Sequence, residues 1–227
     1  MTSSPPDPLI GGPVPVLPPA DLVPEKSALI CIDLQIYDAS PEGSLFQGHQ
    51  ERFSDYFDRV QDVVVPAVNA LQSAFRRADA PVIHTRIRSH TRDGSDVGRR
   101  HRQRGMYVAP DSEDARFLEP VAPTEGEMVI DKTRSGAFYG TGLDAALRLR
   151  GIETAVFCGV VLNNCVESSI REAADRDYDC VVVSDGVAAL DQAMYDASMR
   201  VLSGSYARVM TSRQVVEAMG RAARGRK

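Results

Sequence analysis

Three residues, each closing or closely following an apolar run, carry the chemistry this sequence offers: Asp33, Lys132 and Cys165. A carboxylate can take the proton of a thiol. A lysine can hold that carboxylate ionised and stabilise charge on a substrate. The resulting thiolate can attack a carbonyl carbon. Cys165 follows the stretch Phe157-Cys158-Gly159-Val160-Val161-Leu162-Asn163-Asn164 and opens a helical pattern through Val166, Ile170, Ala173 and Ala174. A cysteine in the first turn of a helix meets unpaired N–H groups and a partial positive charge, which predicts a lowered thiol pKa. Taken singly, each residue has a plainer reading: an inert buried cysteine, an aspartate capping a turn, a solvated lysine. It is the trio that points to a nucleophilic centre.

Such a centre needs elements that bring the three together. Ser27 to Asp33 is apolar on both faces and ends in an acid, which reads as a central strand of a covered parallel sheet. Pro81 to Arg86, Glu127 to Asp131, Thr154 to Val161, Asp179 to Ser184 and Ala207 to Met210 read as five further strands. Helical patterns lie between them: Phe53 to Ala78, kinked or divided at Pro66, then Gly142 to Arg150, Cys165 to Arg176 and Asp191 to Leu202. Thr211 is placed to cap a final helix. Asp185-Gly186 reads as a turn after the fifth strand. The alternation predicts an α/β fold, a three-layer α/β/α sandwich with a mainly parallel six-stranded sheet, Rossmann-like in kind. In such a sheet the carboxyl ends of the strands converge on one edge, where ligands bind.

Bulk properties narrow the field. The chain has 227 residues, 25% charged and 43% hydrophobic, with a net charge of −5, which argues against nucleic acid as a partner. No apolar run approaches the ~20 residues of a membrane span, so no membrane partner is expected. Residues 1–24 read as an extended N-terminal arm, rich in Pro, Gly and Ser and without the pattern of a signal peptide, and residues 25–227 as one domain. Cys31, Cys158, Cys165 and Cys180 form no C-x-x-C pair, which suits a reducing cytoplasm and suggests neither zinc nor disulfides. Arg99, Arg100, Arg102 and Arg104 cluster with His101 in the irregular stretch from Ser89 to Pro123, which reads as a pocket wall or a contact between subunits. Gly140-Thr141-Gly142-Leu143-Asp144-Ala145 fits a dinucleotide fingerprint but stands too far from a strand to be one.

Together, Ile32-Asp33-Leu34-Gln35, Asp131-Lys132-Thr133-Arg134-Ser135-Gly136-Ala137-Phe138 and Gly159-Val160-Val161-Leu162-Asn163-Asn164-Cys165-Val166 resemble the isochorismatase-like cysteine hydrolases. That family includes N-carbamoylsarcosine amidase, ureidoacrylate amidohydrolase, biuret hydrolase and nicotinamidase. The resemblance implies catalytic roles for Asp33, Lys132 and Cys165. It implies a non-proline cis peptide at Val160–Val161 and an oxyanion hole made by the Val161 and Cys165 N–H groups. It implies no cofactor. The family's metal-binding members carry an Asp-x-His pair, whereas the region after Asp33 offers only His49, so no metal is expected. Leu162 departs from the Thr usual in the family. The expected activity is hydrolysis of a C–N bond in a small amide or ureide through a thioester, with release of ammonia. Gln35, Asn163, Tyr139 and Phe138 are candidates for the substrate's polar and planar parts, and Arg86, Arg88 or Arg134 for a carboxylate on it. A nicotinamidase-type amidase, a catalytically idle binding module and a thiol redox sensor are the alternative readings.

The arm and the long 89–123 stretch, with the family's habits, predict a homodimer or homotetramer. Light scattering should give a mass of at least twice the 24.7 kDa of one chain; a single-chain mass at working concentration contradicts this.

Overall fold

The computed structural model describes residues 17–224, so most of the expected arm lies outside the described residues. The part within them runs over the domain without regular structure, with Ala20 and Leu22 buried in its core. Six strands form the sheet: β1 (Ser27–Ile32), β2 (Val82–Ile87), β3 (Met128–Lys132), β4 (Thr154–Gly159), β5 (Asp179–Val187) and β6 (Arg208–Met210). Every pairing is parallel and the order is β3-β2-β1-β4-β5-β6. Helices named here are α1 (Ile36–Ala39), α2 (Ser54–Arg59), α3 (Val65–Arg77), α4 (Arg99–Arg102), α5 (Leu143–Leu149), α6 (Glu167–Ala174), α7 (Gln192–Ser205) and α8 (Ser212–Arg224). Among the described residues no helix is long and apolar enough to cross a membrane.

The period-2 alternation of the strands divides the core into two layers. Leu29, Cys31, Val156, Cys158, Val181 and Val183 face one side, where Val68, Leu71 and Phe75 of α3 and Val215 and Met219 of α8 cover them. Ala28, Ile30, Ile32, Phe157 and Val182 face the other, against Leu143 and Leu147 of α5, Ile170 and Ala173 of α6 and Leu202 of α7. β1 is fully buried because both layers close over it.

Local chemistry explains the element ends. Pro66 has no N–H to donate, and the chain answers with a π-helical turn at Val60–Val64 that joins α2 to α3. Asp191 caps α7 by accepting from the Met194 N–H at 2.7 Å. Thr211 and Gln214 bond reciprocally ahead of α8, at 3.2 and 2.8 Å. The expected turn at Asp185-Gly186 is instead part of β5, where the register with β4 shifts beyond Phe157. Asp185 leaves the ladder to hold Ser212 at the start of α8, through its N–H at 2.7 Å and its hydroxyl at 2.6 Å. The glycine-rich 140–142 stretch is a loop leading into the seven-residue α5, ten residues past β3, and no fingerprint.

Gly159 closes β4 opposite Ile32. Its φ is +113°, and a Cβ there would stand 2.0 Å from the Ile32 carbonyl oxygen. No other residue fits between the strands that carry Asp33 and Cys165. Gly159→Ala should destabilise the fold by roughly 3 kcal/mol or more, measured by urea denaturation; a loss below about 1 kcal/mol contradicts the packing described.

Candidate active site

Strand order places the trio. β1 and β4 are neighbours at the point where the sheet's connections reverse direction, and the crevice beyond such a point is open to a ligand. Asp33 follows β1, in a left-handed conformation with φ 49°. Cys165 follows β4, inside a π-helical turn at Leu162–Val166 that runs straight into α6. The helical run therefore begins three residues before Cys165 rather than at it. Lys132 ends β3, two strands from β1. Strands lie about 4.8 Å apart, so only a long side chain crosses that gap. Its ammonium reaches Asp33 Oδ2 at 2.7 Å, with both side chains fully buried. Nζ also donates to the Arg134 carbonyl at 2.9 Å, and Thr85 of β2, lying between, donates its hydroxyl to Asp33 Oδ1 at 2.8 Å. Oδ2 has no hydrogen-bond partner, so the contact with Lys132 is one of charge.

A fourth residue completes the centre. Asp38 of α1 is 2% exposed, and its carboxyl, that of Asp33 and the Cys165 sulfur lie within 4.8 Å of one another. The Tyr56 hydroxyl donates to the Asp38 carbonyl at 2.6 Å and fixes this segment. Asp38, Thr85 and Tyr56 carry no local signal of such a role in the sequence. An acid after a strand signals a functional edge, whereas an acid inside a four-residue helix looks like surface. Asp33, Asp38 and Cys165 have the makings of a cation site, but the ammonium of Lys132 already supplies the positive charge there and opposes a second cation.

Electrostatics follow from the burial. For Cys165, desolvation dominates and raises the thiol pKa well above its ordinary value; Lys132 opposes this, and Asp33 and Asp38 add to it. The lowered pKa expected from the helix start is thus overturned, because burial beside two carboxyls outweighs the helix and the lysine. Burial also raises Asp38 well above the carboxylate range, with the Asp33 charge reinforcing it. Burial pulls the Lys132 ammonium down, but Asp33, Cys165 and Asp38 together carry it above its ordinary value. The resting centre thus pairs Asp33 with a charged lysine, beside a neutral thiol and a neutral carboxylic acid.

Most of the expected substrate groups have structural duties instead. Gln35 is fully buried; it donates to the Ile87 and Asp114 carbonyls at 3.0 and 2.9 Å and accepts from the Ile87 N–H at 2.6 Å. Arg86 and Arg88 share Asp131, at 2.6 and 2.7 Å. Arg134 donates to the Asp96 and Thr133 carbonyls. Phe138 is 4% exposed and packs on Tyr178, whereas Tyr139 is 65% exposed. The partners of Gln35, Arg86 and Arg88 are distant in the chain, so their local sequence gives no sign of them. Asn163 remains available: its amide nitrogen meets the Met194 sulfur, while its Oδ1 is buried without a partner.

The 89–123 segment braces the site. Leu118 donates to the Leu34 carbonyl, Ile36 to that of Arg116 and Gly98 to that of Thr133. Arg100 reaches the Ser135 hydroxyl at 2.8 Å, and His101 is buried beside it. Of the basic cluster, Arg100 and His101 thus brace the loop after Lys132, while Arg99, Arg102 and Arg104 are exposed. On the Cys165 side, the Ser169 hydroxyl accepts from the Ala137 N–H and donates to the Cys165 carbonyl, at 3.1 and 2.7 Å. The Val160–Val161 peptide is cis, as the resemblance implied. A cavity of about 260 Å³ opens beside Tyr56, lined also by Arg52, Arg59, Ala189 and Tyr195. Another, of about 360 Å³, lies at the amino ends of β2 and β3, remote from this chemistry.

A family model described as the isochorismatase domain matches residues 27–214. A cysteine hydrolase from Pseudomonas syringae pv. phaseolicola superposes with a TM-score of 0.79 at 27% identity, covering 90% of this chain and 97% of that one. N-carbamoylsarcosine amidase from Thermoplasma acidophilum superposes with a TM-score of 0.63 at 28% identity, covering 82% and 96%. The ureidoacrylate amidohydrolase RutB of Methylorubrum extorquens is 38% identical over 87 residues, 38% of this chain and 35% of that protein.

Asp38 makes stability depend on pH. Its folded pKa is raised above the ordinary 3.8, so the folded state holds a proton the unfolded chain gives up. Its contribution is full below about pH 4 and is lost as pH rises through the folded pKa. Asp38→Asn has no such proton and should gain on the wild type above about pH 4, by up to about 1.4 kcal/mol per pH unit. Urea denaturation from pH 4 to 8 measures this; a difference independent of pH contradicts a neutral Asp38.

Proposed function

This chain belongs to the isochorismatase family of hydrolases, and from that premise we propose that it is a cysteine amidohydrolase. It cleaves a C–N bond of a small amide or ureido compound through a thioester and releases ammonia. The observation that carries this reading is the buried meeting of Lys132, Asp33 and Cys165 at the sheet's reversal point. A base, a fixed positive charge and a nucleophile stand within reach of one another, out of bulk water.

The steps follow from the charges. Burial holds the proton on Cys165, so Asp33 takes that proton as the sulfur bonds to the carbonyl carbon. The Val161 and Cys165 N–H groups hold the oxyanion. Asp33 passes the proton to the nitrogen as the C–N bond breaks, and ammonia leaves. A water that loses a proton to Asp33 opens the thioester, which frees the acid and restores the thiol. Lys132 keeps Asp33 oriented, and holds it charged whenever it does not carry that proton.

One neighbour is named for N-carbamoylsarcosine and one relative for ureidoacrylate, so we favour an N-carbamoyl or ureido substrate. Asn163 Oδ1 offers an acceptor for its N–H groups. With Arg86, Arg88 and Arg134 committed elsewhere, the cavity beside Tyr56 is the place for the rest of the substrate, and Arg52 there suits a carboxylate. Four free, buried cysteines fit a reducing cytoplasm. The assembly remains a homodimer or homotetramer in this reading.

Ammonia release over a panel of ureides and amides, nicotinamide included, tests the activity; a tenfold higher kcat/KM for nicotinamide overturns the ureide preference. Cys165→Ala should lower kcat by about 10⁴-fold or more, Asp33→Asn nearly as much, and Lys132→Ala severely. Iodoacetamide labelling should fall on Cys165; preferential labelling of Cys31, Cys158 or Cys180 contradicts its role. Because Lys132 supplies the site's positive charge, activity should survive exhaustive chelation, and stoichiometric zinc or iron in the active protein overturns that.

A further inference from the structure

Asp38 has no part in the steps above, yet it stands among the reacting groups. It is 2% exposed, its Oδ1 has no hydrogen-bond partner, and its carboxyl lies within 4.8 Å of both the Asp33 carboxyl and the Cys165 sulfur. A buried polar atom without a partner is costly and calls for a reason. Three elements hold it in place rather than letting it turn away. Tyr56 of α2 bonds its carbonyl, Gln35 ties the start of α1 to Ile87 and Asp114, and Ile36 bonds the Arg116 carbonyl.

The geometry of attack supplies the missing partner. A carbonyl carbon poised for Cys165 sits about 3–3.5 Å from the sulfur, and its nitrogen about 1.33 Å further on. That nitrogen must face Asp33, from which it takes the proton, and it then lies beside Asp38 as well. Resting on the amidohydrolase reading, we propose that Asp38 is a specificity-determining residue that touches the substrate. Asp33 accepts one N–H of an unsubstituted leaving NH₂ group and Asp38 Oδ1 accepts the other. The enzyme therefore takes compounds ending in –CO–NH₂ and rejects those alkylated on that nitrogen. An N-methyl group would remove one N–H, crowd the pair of carboxyls and leave one of them buried without its partner. Sites built to bond a particular N–H or O–H discriminate strongly against analogues that lack it. The covalent steps are unchanged: the C–N bond breaks, the thiol proton arrives through Asp33, and ammonia departs from between the two carboxyls.

The test compares N-carbamoylglycine and N-carbamoylsarcosine with counterparts methylated on the terminal nitrogen, and biuret with its counterpart methylated on both terminal nitrogens, following ammonia and methylamine. Wild type should favour the unsubstituted substrate by on the order of 100-fold or more in kcat/KM. Asp38→Ala should reduce that preference to tenfold or less, through a loss on the unsubstituted substrate. Asp38→Asn keeps an acceptor oxygen and should hold more of the preference than alanine does. Wild type that turns over both substrates equally overturns the inference whatever the variants do. A folded Asp38→Ala with undiminished preference overturns it too, and in both cases ammonia release leaves the amidohydrolase reading standing. Wild type that releases ammonia from no ureide or amide, unsubstituted or not, brings down that reading and this inference with it.

Discussion

The buried ion pair between Asp33 and Lys132 is the constraint around which this molecule is arranged. Two opposite charges, both excluded from water, are a poor way to gain stability. Desolvation offsets most of their attraction, and breaking such a pair by removing one partner leaves a charge stranded at a cost of about 3–5 kcal/mol. What the pair supplies is position. It fixes a carboxylate at the end of β1, and the chain between supplies one hydrogen-bond partner to each side. Thr85 takes one oxygen of Asp33, and the Arg134 carbonyl takes a proton of Lys132.

Much of the irregular structure is legible as support for that pair. The 89–123 segment bonds the loop after β1 through Leu118 and Ile36, and the loop after β3 through Gly98 and Arg100. Arg86 and Arg88 hold Asp131, the residue before the lysine, from β2. On the far side, Ser169 and the Glu172 carboxylate fasten the 137–139 loop to α6, which continues the turn that carries the cysteine. The same segments that looked like substrate-binding loops thus form a rigid shell, and preorganisation of that kind keeps a reacting group within a fraction of an ångström of its working position.

Burial also sets the protonation of the nucleophile. A thiol at a helix start, exposed to N–H groups and water, ionises readily. Here the same helix start is enclosed, and two carboxyls stand within 4.8 Å of the sulfur. The lysine's favourable field does not overcome desolvation. The fold thus encloses a thiol whose proton is held, rather than a stored thiolate.

The sequence by itself determined the trio, the layering and the family resemblance. Each rests on short-range pattern: an apolar run ending in Asp33, another ending beside Lys132, and a glycine-to-cysteine stretch entering a helix. Period-2 and period-3.6 spacing are local properties, so six strands and their helices were legible, with ends misplaced by one to three residues in most cases. The fate of side chains with distant partners was not legible. Gln35 meets Ile87 and Asp114, and Arg86 and Arg88 meet Asp131, across gaps of 43 residues or more. Asp185 leaves β5 for Ser212. Asp38 looked like surface because nothing near it in the chain announces burial; only the packing of α1 under Tyr56 and against the 113–115 turn encloses it. The thiol's protonation was decided in the same way. A pKa depends on every charge and every excluded water within several ångströms, and those neighbours come from β1, β3 and α1, not from the helix in which Cys165 was read.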